Sequence, residues 1–250
     1  MRSPTREHLN LMKKKIKAIT FDLDDTFWDI EPVIINAEIN TRKWIEKHIN
    51  QKIDWGNYED FMALRRSLVE INPSMNYDLG SLRKATIEYH VKPFFDNNES
   101  LNKFIDDAFD IFIEARQNVV LYDGVISSLT ALAKVFNLGV LTNGNANIKK
   151  IGIDRFFKCS ISSMDVKSNK PAPKHFEAAS SFFNIDMSEI LHIGDHPIND
   201  VIGAKEAGAN AVWFNKNNLS WEHPVEKPIE IKNWLNAVQT IAKNFERKGA

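Results

Sequence analysis

Four aspartates stand close together in the stretch "ITFDLDDTFWD", directly after an apolar run. They are Asp22, Asp24, Asp25 and Asp29. Carboxylates this close repel one another and raise each other's pKa values, so the cluster is costly unless a cation or a proton-transfer task compensates. Taken alone, the stretch is also typical of a strand that runs into a solvated acidic turn. Residues elsewhere in the chain have to separate these two interpretations.

Further polar residues follow other apolar runs of the chain or lie in a loop that opens onto a helical pattern. Ligands of open parallel sheets bind beyond the carboxyl ends of the strands, so these residues are expected to meet Asp22 there. Carboxylate oxygens suit Mg²⁺, and a carboxylate can also attack phosphorus. The set therefore predicts a site for a divalent cation and a phosphoryl group. Its members are Thr142, Asn143, Lys170, Asp195 and Asp200.

Short apolar runs alternate with helical patterns over much of the chain. Strands that alternate with helices of this length predict an α/β fold with a doubly wound parallel sheet. Gly208 is expected to stop the last helix of this series. The predicted strands are residues 17–22, 138–142, 190–195 and 210–214, and the predicted helices are residues 123–136, 171–183 and 197–208.

Residues 30–118 interrupt the alternation, because four stretches with helical spacing follow one another without a strand. We therefore predict a core domain from residues 1–29 and 119–250, with residues 30–118 inserted as a helical lid over the acidic cluster. The basic run "KKKIK", residues 13–17, is expected to be a solvated lead-in to the first strand. The tail, residues 231–249, is predicted as an amphipathic helix.

The composition limits the classes of protein. The chain has 250 residues, 43% of them hydrophobic, which is enough for a full core. A formal net charge of -1 argues against nucleic acid or anionic membranes as partners. A small molecule is the expected partner, and a monomer or weak homo-oligomer is the expected assembly.

The lone Cys159 fits a reducing compartment and excludes a cysteine-rich zinc site. No signal peptide and no apolar run of membrane-spanning length is recognised. A soluble cytoplasmic protein is therefore expected. Cys159 also lacks the downstream arginine of a cysteine phosphatase, since residue 165 is Asp.

Four short motifs occur in order: "DLDDT" (residues 22–26), "LTNG" (141–144), "KP" (170–171) and "GDHPIND" (194–200). In this order, with a helical insert after the first, they resemble the four motifs of the haloacid dehalogenase superfamily, in its phosphatase branch with a helical cap. The resemblance covers nearly the whole chain. It implies a Rossmann-like α/β core with an inserted cap domain, and hydrolysis of phosphomonoesters through an aspartyl phosphate.

The resemblance implies a role for each motif residue. Asp22 is the expected nucleophile, and Asp24 the general acid/base that protonates the leaving oxygen and then activates water. Lys170 is expected to restrain Asp22 and to offset phosphate charge, although it could be a solvated loop cation. Thr142 and the Asn143 backbone are expected to hold phosphoryl oxygens, although a strand end followed by a turn would use the same residue types.

A Mg²⁺ cofactor is implied as well. Asp195 is expected to ligate it together with Asp22 and the backbone carbonyl of Asp24. Asp200 also belongs to the candidate metal residues, but acts more plausibly on the ligands than on the ion. Alternatively, Asp200 could simply be a residue at a helix start that interacts with the positive end of the helix. His192 alternates with apolar neighbours and is expected to be a core histidine.

Several stretches resemble the bacterial branch that dephosphorylates flavin mononucleotide (FMN) and the riboflavin precursor 5-amino-6-(5-phospho-D-ribitylamino)uracil. Trp28, where many relatives carry tyrosine, could stack on a planar ring of the substrate or pack against the cap hinge. Arginines on the insert could contact the substrate or simply be solvated. The candidates on the insert are Arg65, Arg66, Tyr77 and Arg83.

Other functions stay open. Sugar phosphates or nucleoside monophosphates are alternative substrates, and a mutase would pass the phosphoryl group to a second hydroxyl. A 2-haloacid dehalogenase is disfavoured because it does not need Asp24. A non-catalytic binding protein is disfavoured because no motif residue is lost.

Overall fold

The computed structural model of the protein describes residues 13–249. The first twelve residues, over which the sequence predicts no signal peptide, lie outside this range. None of the helices within it combines the length and apolar composition that crossing a membrane requires.

Most of the strands belong to one parallel sheet. In the order β4-β3-β2-β5-β6-β7 they lie side by side, and every neighbouring pair is parallel. The predicted doubly wound parallel sheet is therefore confirmed. The strands are β1 (Lys14–Ile16), β2 (Ala18–Phe21), β3 (Asn137–Thr142), β4 (Cys159–Ser162), β5 (Ile190–Gly194), β6 (Asn210–Phe214), β7 (Ile229–Ile231) and β8 (Phe245–Arg247).

β2 lies at the centre of this sheet and is buried along its whole length. Phe21, its last residue, pairs with Val140 of β3 and with Ile193 of β5. The Asp22 N–H group donates to the Ile193 carbonyl at 2.9 Å. Because all three strands are parallel and in this register, the residues that follow them, or end them as Thr142 does, meet at one edge.

Helices cover both faces of the sheet. α5 and α10 contribute to one apolar cluster, whereas α8 and α9 contribute to the other. Neighbouring residues of β3 divide between the clusters, Val140 in the first and Leu141 in the second, as expected for side chains that alternate along a strand. These helices are α5 (Val125–Leu132), α6 (Ile148–Ile151), α7 (Ser163–Val166), α8 (Lys174–Phe183), α9 (Gly203–Glu206) and α10 (Ala237–Asn244).

The helical segment, residues 30–118, contains helices and no strand. It encloses an apolar cluster of its own, which includes Ile45, Ile87 and Ile105. The division of the chain into a core domain and a cap domain at its ends stays a prediction. Its helices are α1 (Ile30–Ile49), α2 (Tyr58–Ile71), α3 (Leu79–Val91) and α4 (Asn98–Arg116).

Two aspartates of the acidic cluster accept hydrogen bonds from backbone N–H groups at the start of α1. The Asp29 carboxylate accepts from the Glu31 N–H group at 3.2 Å, as an N-cap does. The Asp25 carboxylate accepts from the Ile30 N–H group at 3.1 Å. The cluster is therefore divided between a helix start and the strand end.

The chain enters and leaves the helical segment through two connections that lie side by side. The Tyr122 N–H group donates to the Phe27 carbonyl at 2.8 Å. Trp28 forms an isolated antiparallel bridge with Leu121. The two connections are thus tied to each other beside the end of β2.

Both ends of the described chain differ from the sequence prediction. Residues 13–17 are not only a solvated lead-in: Lys13, Lys14 and Lys15 are exposed as expected, but Lys14–Ile16 forms β1 and pairs in parallel with β8. The predicted helix over residues 231–249 is also wrong. Only Ala237–Asn244 is α-helical, while Phe245 is extended and buried as the first residue of β8.

The predicted helix over residues 197–208 is also modified. It begins as a π-helix, Pro197–Ile202, and continues as α9. Gly208 ends it with a φ of +91°, a conformation that favours glycine.

Candidate active site

Lys170 lies at the centre of the site. Its ammonium nitrogen is 2.8 Å from an Asp22 oxygen, 2.6 Å from an Asp200 oxygen and 2.7 Å from the Leu141 carbonyl oxygen. The side chain is buried, so it is not a solvated loop cation. Burial works against its charge, but Asp200 and Asp22 outweigh this effect and raise the pKa of Lys170 above its ordinary value.

The Asn143 side chain fixes the position of Lys170. Its carbonyl oxygen accepts from the Lys170 backbone N–H at 2.7 Å, and its NH₂ group donates to the Lys170 backbone carbonyl at 3.0 Å. The Ser163 hydroxyl donates to the same Asn143 oxygen at 3.2 Å. The loop after β3 therefore fixes the position of the loop that contains Lys170.

Asp200 accepts hydrogen bonds at both carboxylate oxygens. One oxygen contacts Lys170 and lies 3.2 Å from His192 Nε2, and the other accepts from the His196 N–H group at 2.9 Å. Burial opposes its ionisation, yet Lys170 and His192 outweigh it and hold the pKa of Asp200 well below its usual range. With both oxygens engaged, Asp200 is suited to orient its neighbours, which favours the expectation from the sequence.

Gly194 makes room for Asp200. A Cβ atom added at Gly194 would lie 2.3 Å from Asp200 Cγ, far inside contact distance. The last residue of β5 therefore has to lack a side chain for the Asp200 carboxylate to reach Lys170.

Asp195 follows β5 and is held by its side chain and by its backbone. The Thr26 hydroxyl donates to its carboxylate at 3.2 Å, and the Trp213 indole N–H donates to its backbone carbonyl at 2.6 Å. Burial, and then the charges of Asp200 and Asp25, raise the pKa of Asp195 to about 7. Such a carboxylate releases its proton most readily when a cation binds beside it.

The carboxylates of Asp22, Asp195 and Asp200 come together, with one oxygen of each within 4.8 Å of the others. Burial, opposed by Lys170, and the charges of Asp200 and Asp195 raise the pKa of Asp22 well above its usual value. One lysine cannot balance three carboxylates. The donor set consists of hard oxygen atoms with uncompensated negative charge, which fits Mg²⁺. The Asp24 side chain is not part of this group, and ligation by its carbonyl stays a prediction.

Asp24 turns its carboxylate toward Arg116, the last residue of α4. Arg116 Nη2 is 2.8 and 2.6 Å from the two Asp24 oxygens, and the Trp28 indole N–H donates to one of them at 2.9 Å. Trp28 is fully buried and packs on Phe27. Because no face of the ring is open, the stacking interpretation of Trp28 is wrong and the packing interpretation is correct.

Thr142 ends β3 with its hydroxyl at the site. The hydroxyl oxygen accepts from the Gly144 N–H group at 2.9 Å, which leaves its own O–H able to donate to a ligand. His175 Nε2 lies 3.2 Å from the Thr142 carbonyl oxygen. Burial and the charge of Lys170 lower the pKa of His175 to about 4, so this ring is neutral and structural.

Cys159, already excluded as a nucleophile by its sequence context, and Arg83 both have structural surroundings. Burial raises the pKa of the Cys159 thiol to about 11, so it is not a ready nucleophile. Arg83 is ion-paired with Glu38, and its guanidinium lies 3.9 Å from the centre of the Phe112 ring. Arg83 therefore joins helices of the helical segment to one another, and it also lines a cavity there.

Sequence reasoning missed several partners of the motif residues. Arg116 contacts Asp24, Thr26 contacts Asp195, and His192, expected only as a core residue, contacts Asp200. Thr26 belongs to the first motif and could have been found there. Nothing in the sequence around Arg116 distinguishes it from the other arginines of the helical segment.

A model of the haloacid dehalogenase-like hydrolase family matches residues 16–208. The chain belongs to this family. It is 29% identical over 231 residues to the 5-amino-6-(5-phospho-D-ribitylamino)uracil phosphatase YigB of Escherichia coli strain K12, covering 91% of this chain and 97% of the relative. It is 31% identical to a glyceraldehyde 3-phosphate phosphatase of Pyrococcus abyssi, with coverage of 80% and 81%.

A crystal structure of a 2-haloacid dehalogenase from Pseudomonas syringae pv. Tomato DC3000 has the same fold, with a TM-score of 0.85 and 31% identity. The comparison covers 91% of this chain and 99% of that one. The family resemblance and the predicted enzyme class, a phosphatase of this hydrolase family, are confirmed.

Proposed function

We propose that the protein hydrolyses phosphomonoesters of small molecules through an aspartyl phosphate on Asp22, with Mg²⁺ as cofactor. The observation that carries this proposal is the placement of Lys170 between Asp22 and Asp200, with Asp195 beside them. An ammonium group that holds one carboxylate in place leaves the other oxygen of Asp22 for attack on phosphorus.

In the first step, Asp22 attacks the phosphorus atom while the bond to the leaving oxygen breaks. Asp24 gives a proton to that oxygen, so the product leaves as an alcohol. Thr142 and the backbone after β3 hold the phosphoryl oxygens, and Lys170 offsets their charge.

In the second step, Asp24 takes a proton from water. The water oxygen bonds to phosphorus, and the bond to Asp22 breaks. Inorganic phosphate leaves, and Asp24 is again protonated for the next leaving group.

Asp22 and Asp195 would hold the metal, with Asp200 and Lys170 fixing their orientation. When bound, Mg²⁺ would offset the repulsion between the carboxylates and the phosphate dianion. The surplus of negative charge around Lys170 supports this assignment.

We propose 5-amino-6-(5-phospho-D-ribitylamino)uracil and FMN as the preferred substrates. The likeness to YigB over nearly the full length of both chains supports the first of these two compounds. The helical segment supplies a mostly apolar cavity of about 330 Å³ between α1 and α2, within the size range of small-ligand sites. Its aromatic members are Tyr58 and Phe61. We assign the substrate ring to this cavity in place of the buried Trp28.

The proposal is tested by steady-state hydrolysis of a panel: the two flavin-related phosphates, glyceraldehyde 3-phosphate, glycerol phosphate and 2-chloropropionate. Phosphate or halide release is measured with Mg²⁺, with EDTA, and after Mg²⁺ is restored. We expect Mg²⁺-dependent phosphate release, highest kcat/KM on the flavin-related compounds, and no halide release. Asp22→Asn should form no phosphoenzyme.

The outcomes separate the parts of the proposal. Full activity of metal-stripped protein, or a labelled phosphoenzyme in Asp22→Asn, would overturn the mechanism. A clear preference for glyceraldehyde 3-phosphate would overturn only the substrate. Halide release would favour the dehalogenase, the activity named for the structure at 31% identity.

A further inference from the structure

Arg116 connects the helical segment to the loop that carries Asp24. It is the last residue of α4, and only 1% of its side chain is exposed. Its Nη2 atom contacts both Asp24 oxygens, and its Nε atom donates to the Asn145 side-chain oxygen at 3.0 Å. One guanidinium therefore joins α4, the loop after β2 and the loop after β3.

The Asp24 carboxylate is confined by two further groups. The Trp28 indole N–H donates to one oxygen at 2.9 Å. The other oxygen faces Gly144, where an added Cβ would lie 2.7 Å from it. The carboxylate consequently has donors on one side and close-packed backbone on another, which leaves it little freedom to rotate.

Stability alone does not account for this arrangement. Burying an arginine costs desolvation energy. The attraction within a buried ion pair often does no more than offset this cost. Arg116 Nη1 is buried and finds no hydrogen-bond partner among residues 13–249. A buried arginine with an unpaired N–H group contributes little to the stability of the core. Its contact with Asp24 therefore needs another explanation.

We propose that Arg116 is a positioning residue for proton transfer, which acts through Asp24 and not on the substrate itself. The inference rests on the acid/base role of Asp24 in the proposed function. Proton transfer needs the carboxylate within hydrogen-bond reach of the leaving oxygen and in the right orientation. Arg116 supplies that orientation from the end of the helical segment.

Leaving-group dependence distinguishes this role from a structural one. An alkoxide leaving group needs a proton from Asp24, whereas p-nitrophenolate leaves readily without one. The value of kcat/KM reports the steps up to departure of the leaving group. Replacing a residue that acts through the general acid should therefore lower kcat/KM for FMN and change kcat/KM for p-nitrophenyl phosphate little.

The experiment measures kcat/KM on both substrates for wild type, Asp24→Asn, Arg116→Gln and the double variant, all with Mg²⁺ at one pH. We expect Arg116→Gln to lose about 10- to 10²-fold on FMN, part of the 10²–10⁴ that a general acid contributes. On p-nitrophenyl phosphate the loss should stay below about threefold. In the Asp24→Asn background, Arg116→Gln should add no further loss on FMN.

Two further variants control for folding. Glu114→Gln removes the exposed Glu114–Lys150 pair, which joins the same end of α4 to α6 without contact to Asp24, and should leave both substrates unchanged. Trp28→Phe keeps the ring in the core but removes the indole donor to Asp24. Even if Arg116→Gln is poorly folded, Trp28→Phe should show the leaving-group pattern, which is a larger loss of kcat/KM on FMN than on p-nitrophenyl phosphate. We expect this difference to be smaller than for Arg116→Gln.

Failure of the inference differs from failure of the proposed function. If Asp24→Asn itself loses activity equally on both substrates, the acid role of Asp24 is wrong. If Asp24→Asn shows the leaving-group pattern but Arg116→Gln and Trp28→Phe lose equally on both substrates, the positioning role is overturned. Losses of Asp24→Asn and Arg116→Gln that multiply in the double variant would also overturn it.

Discussion

Asp200 depends on the absence of a side chain at Gly194. The Asp200 carboxylate occupies the space where a Cβ of residue 194 would lie. It is also one of the two carboxylates that hold the buried Lys170 ammonium. A change at Gly194 therefore acts on the charge balance of the site and not only on packing.

Gly194→Ala should unfold more easily and lose activity. The methyl group would push Asp200 away from Lys170, and breaking a buried ion pair costs about 3–5 kcal/mol. Denaturant titration measures the free energy of unfolding. Gly80→Ala is the control, because its Cβ would meet its nearest neighbours at 3.4 and 3.5 Å, so we expect a change within about 1 kcal/mol. Equal effects of the two alanines would contradict this account.

The sequence predicts the positions of some site residues but not of others. Asp22 and Asp195 come together as predicted, because the parallel strands β2 and β5 bring their ends to one edge. Lys170 reaches Asp22 from a loop before α8. Arg116 could not be predicted, since its contact depends on the angle at which α4 reaches the sheet. Asp29 was grouped with the chemistry, although its spacing to the start of α1 fits an N-cap.

Among the elements, β1 and β8 form a small parallel pair that is separate from the main sheet. Ile16 of β1 is fully buried and Phe245 of β8 nearly so. The Lys17 and Lys248 ammonium groups lie 3.2 and 2.5 Å from the two oxygens of Glu189. The pair thus joins the two ends of the described chain to the start of β5.

Ile16→Ala should destabilise the protein by about 2–5 kcal/mol, because it removes a buried aliphatic side chain from a packed site. Lys14→Ala, on the same strand but exposed, should stay within about 0.5 kcal/mol of wild type. Thermal and denaturant unfolding measure both. Similar stability of the two variants would mean that β1 contributes nothing to the fold.

Short elements escape prediction for a physical reason. β1, β7 and β8 have three residues each, too few to show an alternating pattern. Their stability comes from partners far along the chain. Longer elements such as α1 and α4 carry their own periodicity and start signals, so the helical nature of residues 30–118 was predictable.

For the whole molecule, the uncompensated carboxylates link stability to pH and metal. The pKa of Asp195 is raised to about 7. The stability that its protonated form contributes is fully present below the ordinary carboxyl pKa of about 4 and is lost as the pH rises through 7. Asp22 is shifted in the same direction.

The increase in Tm caused by Mg²⁺ should therefore be larger at pH 8 than at pH 6. At pH 6 protons occupy the site and compete with the ion, whereas at pH 8 the ion relieves charge repulsion. Differential scanning fluorimetry with Mg²⁺ and with EDTA measures the shift. Asp195→Asn should abolish most of it, and an equal shift at both pH values in wild type would argue against this site.

The paired connections at Phe27–Tyr122 and Trp28–Leu121 have a mechanical consequence. Two connections fixed side by side form a hinge, and a swing of the helical segment about it would also have to break the hydrogen bond of 2.8 Å from the Asn169 side chain to the Asn76 carbonyl. α4 has 19 residues and is therefore about 28 Å long, so a swing of about 10° displaces its far end by about 5 Å. Arg116, at the near end, scarcely moves. A swing about this hinge would move the far end of α4 relative to the strand ends while Arg116 kept its contact with Asp24.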